Sequence, residues 1–204
     1  MKATSIILAG GKNRRFGRSK PLEVLEGKSL VQCVVERLRP LSDQILVVTS
    51  AEQCAIPVSH DVEIFTDLYP GKGPLGGIYT GLLASRHTHS IVVACDMPFL
   101  NTELLRYMVG LSRGFDAVIP HLEEGMRDPL HAVYSKKCLP FIKKQLENNH
   151  LEVYALLDVV RVRYVEREEC RRIDPELLSF FNINYPADLD KAIALAAAEL
   201  SKTS

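Results

Sequence analysis

Short apolar runs alternate with longer segments of helical periodicity along most of this chain. The runs are apolar at nearly every position instead of at every second one. Strands that are buried on both faces have this composition, whereas strands with one face in solvent alternate between apolar and polar residues. The predicted strands are Ile6–Leu8, Gln44–Thr49, Val62–Thr66, Ser90–Cys95 and Ala117–Pro120, followed less regularly by His131–Tyr134 and Val159–Val165.

The segments between these runs are typical of helices. Ser29–Arg39 carries apolar residues at helical spacing and ends before Pro40. The other predicted helices are Gly77–Ser85 (after a Gly/Pro-rich loop, Gly71–Gly77), Thr102–Leu111, Lys136–Asn148 and one from Pro186 to about Leu200. This alternation predicts an α/β fold of three layers, with a mostly parallel central sheet covered by helices on both faces. With no repeat or long linker, we expect a single domain over residues 1–204.

Composition narrows the class of protein. A chain of 204 residues that is 47% hydrophobic is long enough for one well-filled core. Its formal net charge of zero argues against a nucleic-acid or membrane-surface partner. No apolar run approaches the roughly 20 residues that cross a bilayer. Five dispersed cysteines without a C-x-x-C pair, and an N-terminus without a secretory pattern, predict a cytoplasmic protein.

A glycine-rich segment with clustered cations follows the first predicted strand. Ala9-Gly10-Gly11 breaks the apolar run, and five basic residues follow without an acidic one: Lys12, Arg14, Arg15, Arg18 and Lys20. Exposed backbone amides and nearby cations suit a polyphosphate. The spacing matches neither a Walker loop nor the dinucleotide fingerprint. An ordinary strand-to-helix turn with a solvated basic flank is the alternative interpretation.

Acidic residues come directly after two predicted strands. Asp67 follows Val62–Thr66, and Asp96 follows Ser90–Cys95. Ligands of parallel sheets bind beyond the carboxyl ends of the strands. Because Mg²⁺ takes only one or two protein carboxylates beside water and phosphate oxygens, Asp96 is the candidate metal ligand. The alternative is that both residues form turns or caps.

A third polar pair lies close to the last predicted helix. Asn182 and Asn184 form N-x-N, which on an extended backbone points both amides to the same side. The alternative is that this pair forms a turn and caps the helix beginning at Pro186.

Four separated motifs, in this order, resemble those of the nucleotidyltransferases, and most closely the molybdenum cofactor guanylyltransferases (MobA family). They are Leu8-Ala9-Gly10-Gly11 with Arg15-Phe16-Gly17 and Lys20; Asp67 followed by Gly73-Pro74-Leu75-Gly76-Gly77; Cys95-Asp96-Met97-Pro98; and Asn182-Ile183-Asn184-Tyr185-Pro186-Ala187-Asp188-Leu189. Phe16 stands where the family usually has Met, and Tyr185 where it usually has Thr.

The resemblance implies a Rossmann-like nucleotidyltransferase fold and Mg²⁺-dependent transfer of GMP from GTP to the phosphate of molybdopterin, with release of pyrophosphate. The N-terminal half would bind the nucleotide and the C-terminal half the acceptor. The implied nucleotide-binding residues are Leu8, Ala9, Gly10, Gly11, Lys20, Asp67, Gly73, Pro74, Leu75 and Asp96, with Asp96 also the metal ligand. The implied catalytic residues are Arg15, Lys20, Asp96, Asn182 and Asn184. Arg127, in a polar patch before His131–Tyr134, is a candidate for the acceptor's phosphate, whereas His131 is given no role.

Other functions on the same fold remain open at this point. The alternatives are a cytidylyltransferase for molybdopterin, a sugar-phosphate nucleotidyltransferase and a non-catalytic GTP-binding module. Cytidylyl relatives tend to have L-A-A-G and to lack G-P-L-x-G, so Gly10 and the Gly73 segment favour guanine. The expected partners are GTP and molybdopterin, with transient contacts to other molybdenum cofactor biosynthesis proteins or apo-molybdoenzymes, and neither nucleic acid nor membrane.

Overall fold

A computed structural model of the protein describes residues 3–10, 20–51, 56–123 and 126–203, with only the backbone for residue 20 and residues 198–203. Within these ranges eight strands form one sheet, and two short strands form a separate hairpin. The strands are β1 Ala3–Leu8, β2 Val24–Leu25, β3 Lys28–Ser29, β4 Ser42–Thr49, β5 Val62–Thr66, β6 His89–Ala94, β7 Ala117–Glu123, β8 Met126–Arg127, β9 His131–Ser135 and β10 Val162–Glu166.

The sheet is mostly parallel, as the apolar runs predict. Its order is β10-β7-β9-β6-β1-β4-β5, with β8 paired to β7. Strands β4, β5 and β6 run parallel to β1 or to its neighbours, and β10 runs parallel to β7. Strand β9 is antiparallel to both β6 and β7, so its amino end lies at the edge where those two strands finish.

Helices cover both faces of the sheet. They are α1 Leu30–Leu38, α2 Gly73–Ala84, α3 Thr102–Leu111, α4 Leu139–Glu147, α5 Val153–Leu157, α6 Arg167–Ile173 and α7 Pro186–Thr203. Buried residues of α1, α3 and α6 form one apolar core with the sheet, and those of α2, α4 and α5 form another on the opposite face. A smaller cluster joins α7 to the β2-β3 hairpin. The three-layer α/β prediction is confirmed.

Helix α2 packs closely against β1, an inner strand of the sheet. A Cβ added at Gly81 would collide with the side chain of Ile6 on β1. Only a glycine lets the backbone of a helix approach a neighbouring side chain to this distance. Gly81 therefore serves helix-to-sheet packing.

Several predicted elements need correction. The segment predicted as a loop up to Gly77 is helical from Gly73 onward. The strand predicted from Val159 begins at Val162, and the helix predicted over Lys136–Asn148 is a 3₁₀ turn followed by α4. Helices α5 and α6 were not predicted, because each is short and lacks a sustained apolar stripe. None of the described helices combines the length and the hydropathy of a membrane span.

Candidate functional site at the carboxyl ends of the strands

The predicted strand-end residues lie along one edge of the sheet. The backbone N–H of Cys95 donates to the carbonyl of Leu8 at 3.1 Å, just past the last paired residues of β6 and β1. The backbone N–H of Asp67 donates to the carbonyl of Thr49 at 2.8 Å, just past the ends of β5 and β4. The segments that lead to Asp67, to Asp96 and to the glycine loop therefore leave the sheet at the same edge.

Only part of the glycine segment belongs to the described chain. The side chains of Leu8 and Ala9 are buried in the core, so any contact of these two residues with a ligand would be through their backbone. Gly10 is exposed, and a Cβ added there would lie 3.5 Å from the backbone nitrogen of Ser50. Lys20 begins the 3₁₀ turn Lys20–Leu22, with its side chain outside the description. Gly11 and Arg15 lie outside the described residues.

Asp67 is held against the first turns of α2. Its Oδ1 accepts hydrogen bonds from the backbone N–H of Tyr69 at 2.9 Å and from the hydroxyl of Thr80 at 3.2 Å. A Cβ added at Gly76 would lie 3.1 Å from each carboxylate oxygen. The turn role considered for Asp67 is thus present in the structure. The half-buried carboxylate is also fixed in orientation, which suits a residue that recognises a ligand.

The G-P-L-x-G motif forms the start of a helix. Lys72 is the N-cap of α2, and Pro74 lies in its first turn, where the missing N–H of proline is harmless. Gly73 has a positive φ of 66° and is exposed. Leu75, predicted to contact the nucleotide, is fully buried and packs into the core. Any contact of Leu75 with a ligand would therefore be through its backbone, while Gly73 and Pro74 are open at the helix N-terminus.

The N-x-N motif is tied directly to the Asp96 segment. The backbone N–H of Ile183 donates to the backbone carbonyl of Asp96 at 3.0 Å. Ile183 is fully buried, whereas Asn182 is half-buried and Asn184 is exposed. The two asparagines therefore flank an inward-pointing residue beside the end of β6, as the alternation of an extended segment predicts.

The acidic residue of the same motif fixes the entry to α7. The Oδ2 of Asp188 accepts from the backbone N–H of Asn184 at 3.0 Å and from that of Tyr185 at 2.9 Å. Asp188 thereby supports the chain just before the helix.

The structure adds one carboxylate that the predictions did not assign to the site. Burial is the main reason why the pKa of the Asp128 carboxyl is raised to about 6; the nearby Asp96 carboxylate contributes to this rise, and the backbone N–H groups of Leu130 and His131 oppose it. The hydrogen bond from the Leu130 N–H measures 3.0 Å, and the carbonyl of Leu130 in turn accepts from the N–H of Ala94 at the end of β6. The only feature of the sequence that pointed to Asp128 was its place in the polar patch that precedes His131.

This donor set fits the cation that the resemblance implies. The neighbouring carboxylates of Asp96 and Asp128 supply hard oxygen donors and a negative potential suited to Mg²⁺. Across the described ranges, no three His, Cys, Asp or Glu side chains converge on a possible metal position. The set therefore suits an ion that takes most of its ligands from water and a bound polyphosphate, in contrast to a structural zinc.

A buried histidine lies beside this edge. The ring of His131, the first residue of β9, is fully buried and packs on Phe180 with 4.6 Å between ring centroids. Within the described residues neither ring nitrogen has a hydrogen-bond partner, and burial lowers the pKa of His131 to about 4. The imidazole is neutral at physiological pH.

Comparisons with known proteins agree with this fold. Residues 5–164 match the model of a family described as the MobA-like NTP transferase domain. A relative from Desulfosudis oleivorans, named molybdenum cofactor guanylyltransferase, is 34% identical over 200 residues that cover 96% of each chain. A relative from Methanosarcina mazei, named probable molybdenum cofactor guanylyltransferase, is 39% identical and covers 95% of this chain and 91% of its own.

A solved structure of a related protein shows the same fold. The molybdopterin-guanine dinucleotide biosynthesis protein A from Archaeoglobus fulgidus superposes with a TM-score of 0.83 at 31% identity, over 96% of this chain and 99% of that one. The resemblance indicated by the four motifs and the predicted fold class are confirmed.

Proposed function

Because this chain belongs to the family of MobA-like NTP transferases, we propose that it transfers GMP from GTP to the phosphate of molybdopterin, forming molybdopterin guanine dinucleotide and pyrophosphate. The observation that carries the proposal is the hydrogen bond between Ile183 and Asp96, because it joins the N-x-N motif to the strand edge where the glycine segment and Asp67 also lie.

The reaction requires alignment more than it requires a base. An oxygen of the acceptor phosphate forms a bond to the α-phosphorus of GTP, and the bond from that phosphorus to the bridging oxygen of pyrophosphate breaks. The acceptor phosphate is already ionised, so no side chain has to remove a proton. Positioning and charge neutralisation then supply the rate enhancement.

The two halves of the strand edge divide this work. Gly10, Gly11 and Gly73 offer backbone N–H groups to the triphosphate, whereas Pro74, which has no N–H, contributes only van der Waals contact. Asp67 accepts hydrogen bonds from the guanine or from the ribose. Arg15 and Lys20 offset the charge on the α-phosphate and the departing pyrophosphate. Asn182 and Asn184 orient the acceptor.

Asp96 would hold Mg²⁺, which supplies charge neutralisation at the phosphates.

Free thiols at Cys33, Cys95, Cys138 and Cys170 support a reducing compartment, and we propose the cytoplasm.

Pyrophosphate release tests the proposal. We would measure it with GTP, CTP, ATP or UTP, each with Mg²⁺ and molybdopterin, for wild type, Asp96→Asn and Asp158→Asn. Asp158 is the exposed C-cap of α5 and serves as a matched loss of a carboxylate. We expect release with GTP alone, a loss of about 100-fold or more in Asp96→Asn, and a normal rate in Asp158→Asn. Chelation of the metal should stop the reaction and Mg²⁺ should restore it.

Other outcomes point to the alternatives. Release with CTP in place of GTP would make the protein a cytidylyltransferase. Release with GTP and a sugar phosphate, but not with molybdopterin, would make it a sugar-nucleotide enzyme. Tight GTP binding by calorimetry without release for any acceptor would indicate a non-catalytic binding module.

A further inference from the structure

Arg127 lies at the same strand edge as Asp96, on the other half of the sheet. It ends β8 and pairs in register with His121 near the carboxyl end of β7. The next residue, Asp128, begins the turn that leads to Leu130, which hydrogen-bonds to Ala94 at the end of β6. The electrostatic influence of Asp96 on the carboxyl of Asp128 is consistent with this proximity. Arg127 therefore flanks the proposed reaction centre on the side away from β1, β4 and β5.

The arginine is held on an aromatic support. The central guanidinium carbon lies 5.3 Å from the centroid of the Tyr164 ring on β10, and the ring of His121 packs on the same tyrosine at 5.9 Å. The hydroxyl of Tyr154 donates to the carbonyl of Arg127 at 2.8 Å, which fixes its backbone. A guanidinium over an aromatic face is oriented without losing its N–H donors.

In the described part of the chain, no carboxylate forms an ion pair with this guanidinium. Nearby Arg163 pairs with Glu169 at 2.6 Å, and Arg167 pairs with Glu123 at 2.7 Å. Through residues 3–10, 20–51, 56–123 and 126–203, by contrast, Arg127 forms no ion pair, and its side chain is half-buried. An oriented, half-buried guanidinium without an ion-pair partner among the described residues is suited to bidentate binding of a phosphate.

We propose that Arg127, supported by Tyr164, binds the phosphate group of the acceptor and positions its attacking oxygen. This inference rests on the proposed function and specifies its acceptor subsite. The nucleotide triphosphate belongs to the β1, β4, β5 and β6 half of the edge, so Arg127 contributes to acceptor binding and leaves GTP binding unchanged.

The chain offers a matched control for the test. Arg161 also lies over an aromatic ring, 6.0 Å from the centroid of Phe115. Its carbonyl accepts from the N–H of Asp116 at 2.8 Å, so it lies at the opposite end of the same two strands, where β7 and β10 begin. Replacing Arg161 removes the same charge and the same kind of ring contact, far from the strand edge that carries the site.

The experiment measures the KM for molybdopterin and the KM for GTP separately in wild type, Arg127→Ala, Arg127→Lys, Tyr164→Leu and Arg161→Ala. For Arg127→Ala we expect the molybdopterin KM to rise about tenfold or more while the GTP KM changes less than about twofold. Arg127→Lys and Tyr164→Leu should show intermediate increases, because one keeps the charge and the other keeps the guanidinium. Arg161→Ala should match wild type. Quenching of pterin fluorescence on titration with enzyme reports the same affinities without turnover.

Each failure has a distinct form. If wild type turns over and Arg127→Ala keeps its molybdopterin KM, the acceptor role is wrong and the proposed function stands. If the GTP KM rises instead, Arg127 serves the nucleotide and the inference is also wrong. If wild type neither binds molybdopterin nor releases pyrophosphate with it, the proposed function fails and this inference fails with it. Should Arg127→Ala not fold, an unchanged molybdopterin KM in Arg127→Lys and Tyr164→Leu would overturn the inference.

Discussion

The backbone N–H of Ile183 donates a hydrogen bond of 3.0 Å to the backbone carbonyl of Asp96, although the two residues lie far apart in the sequence. The bond brings the N-x-N motif alongside the end of β6, and the buried Ile183 side chain anchors it to the cluster around α7. Packing of Ile183 and this backbone contact therefore hold the motif in place, while the Asn182 amide adds one long hydrogen bond of 3.4 Å to the carbonyl of Phe180. Replacing either asparagine should therefore lower the rate of the reaction more than it lowers the stability of the fold.

Asn182→Ala tests this separation. We expect kcat to fall about 10- to 100-fold, because an oriented polar contact to the reacting groups is lost, while the free energy of unfolding changes by less than about 1 kcal/mol. Steady-state pyrophosphate release and denaturant unfolding measure the two quantities. Asn148→Ala is the control, since that amide donates to the carbonyl of Lys144 in the helix that it ends. A normal kcat in Asn182→Ala would remove this residue from the site.

Gly76→Ala should disturb the nucleotide half of the edge. The new Cβ would lie 2.9 Å from the carbonyl oxygen of Tyr69 and 3.1 Å from both carboxylate oxygens of Asp67, so the Tyr69 backbone has to shift and the Asp67 carboxylate has to give way slightly. We expect the GTP KM to rise about 5- to 50-fold with little change in the molybdopterin KM. Kinetics with each substrate varied in turn provide the measurement.

A substitution of Asp67 itself tests whether the charge of this carboxylate is needed for GTP binding. Asp67→Asn keeps the shape but removes the charge, and we expect it to raise the GTP KM as well. If Gly76→Ala raises the GTP KM while Asp67→Asn does not, the helix N-terminus matters and the carboxylate does not.

The close packing of α2 gives a prediction of opposite sign for two helix glycines. Gly81→Ala forces a Cβ against the Ile6 side chain, and we expect it to destabilise the fold by about 1–3 kcal/mol. Gly110 lies in α3 with nothing within 4 Å of an added Cβ, so Gly110→Ala should stabilise by about 0.5–1 kcal/mol. Chemical denaturation of both variants measures the difference. Equal effects of the two substitutions would mean that α2 packs more loosely against β1.

Much of the fold and the strand-end site could be predicted because both depend on local patterns. Fully apolar runs fix the buried strands, and residues that directly follow parallel strands must meet at one edge. Position alone therefore placed Asp67 and Asp96 at this edge, whereas their roles came from the family resemblance and stay predictions. The start of α2 was missed because Gly73 and Pro74 are typical of loops, whereas the first turn of a helix also accepts both.

The features of the site that the sequence did not predict depend on contacts between segments that are distant in the chain. Asp128 joins the site because the antiparallel β9 turns back at the end of β6, and no local pattern encodes that reversal. The support of Arg127 by Tyr164 likewise arises from the pairing of β7 with β10. The backbone bond from Ile183 to Asp96 leaves no trace in side-chain identity. Such features require the three-dimensional arrangement.

The buried His131 predicts a specific pH dependence of stability. Its pKa of about 4 in the folded protein lies below the ordinary value of 6.5, so the unfolded chain binds the proton first as the pH falls. The neutral ring is therefore fully compatible with folding above about pH 6.5, and stability is lost progressively as the pH falls toward 4. At pH 5 the loss from this one group should be about 2 kcal/mol relative to pH 7.

His131→Phe removes that loss while keeping an aromatic ring beside Phe180. We expect the free energy of unfolding of His131→Phe, relative to wild type, to rise by about 2 kcal/mol between pH 7 and pH 5. The carboxyl of Asp128, whose pKa is raised, changes the stability with pH in the opposite direction. Comparing variant and wild type at each pH cancels this contribution of Asp128. His150→Gln, at an exposed position, should run parallel to wild type. A constant difference between His131→Phe and wild type across this range would mean that the folded protein accommodates the imidazolium at this position.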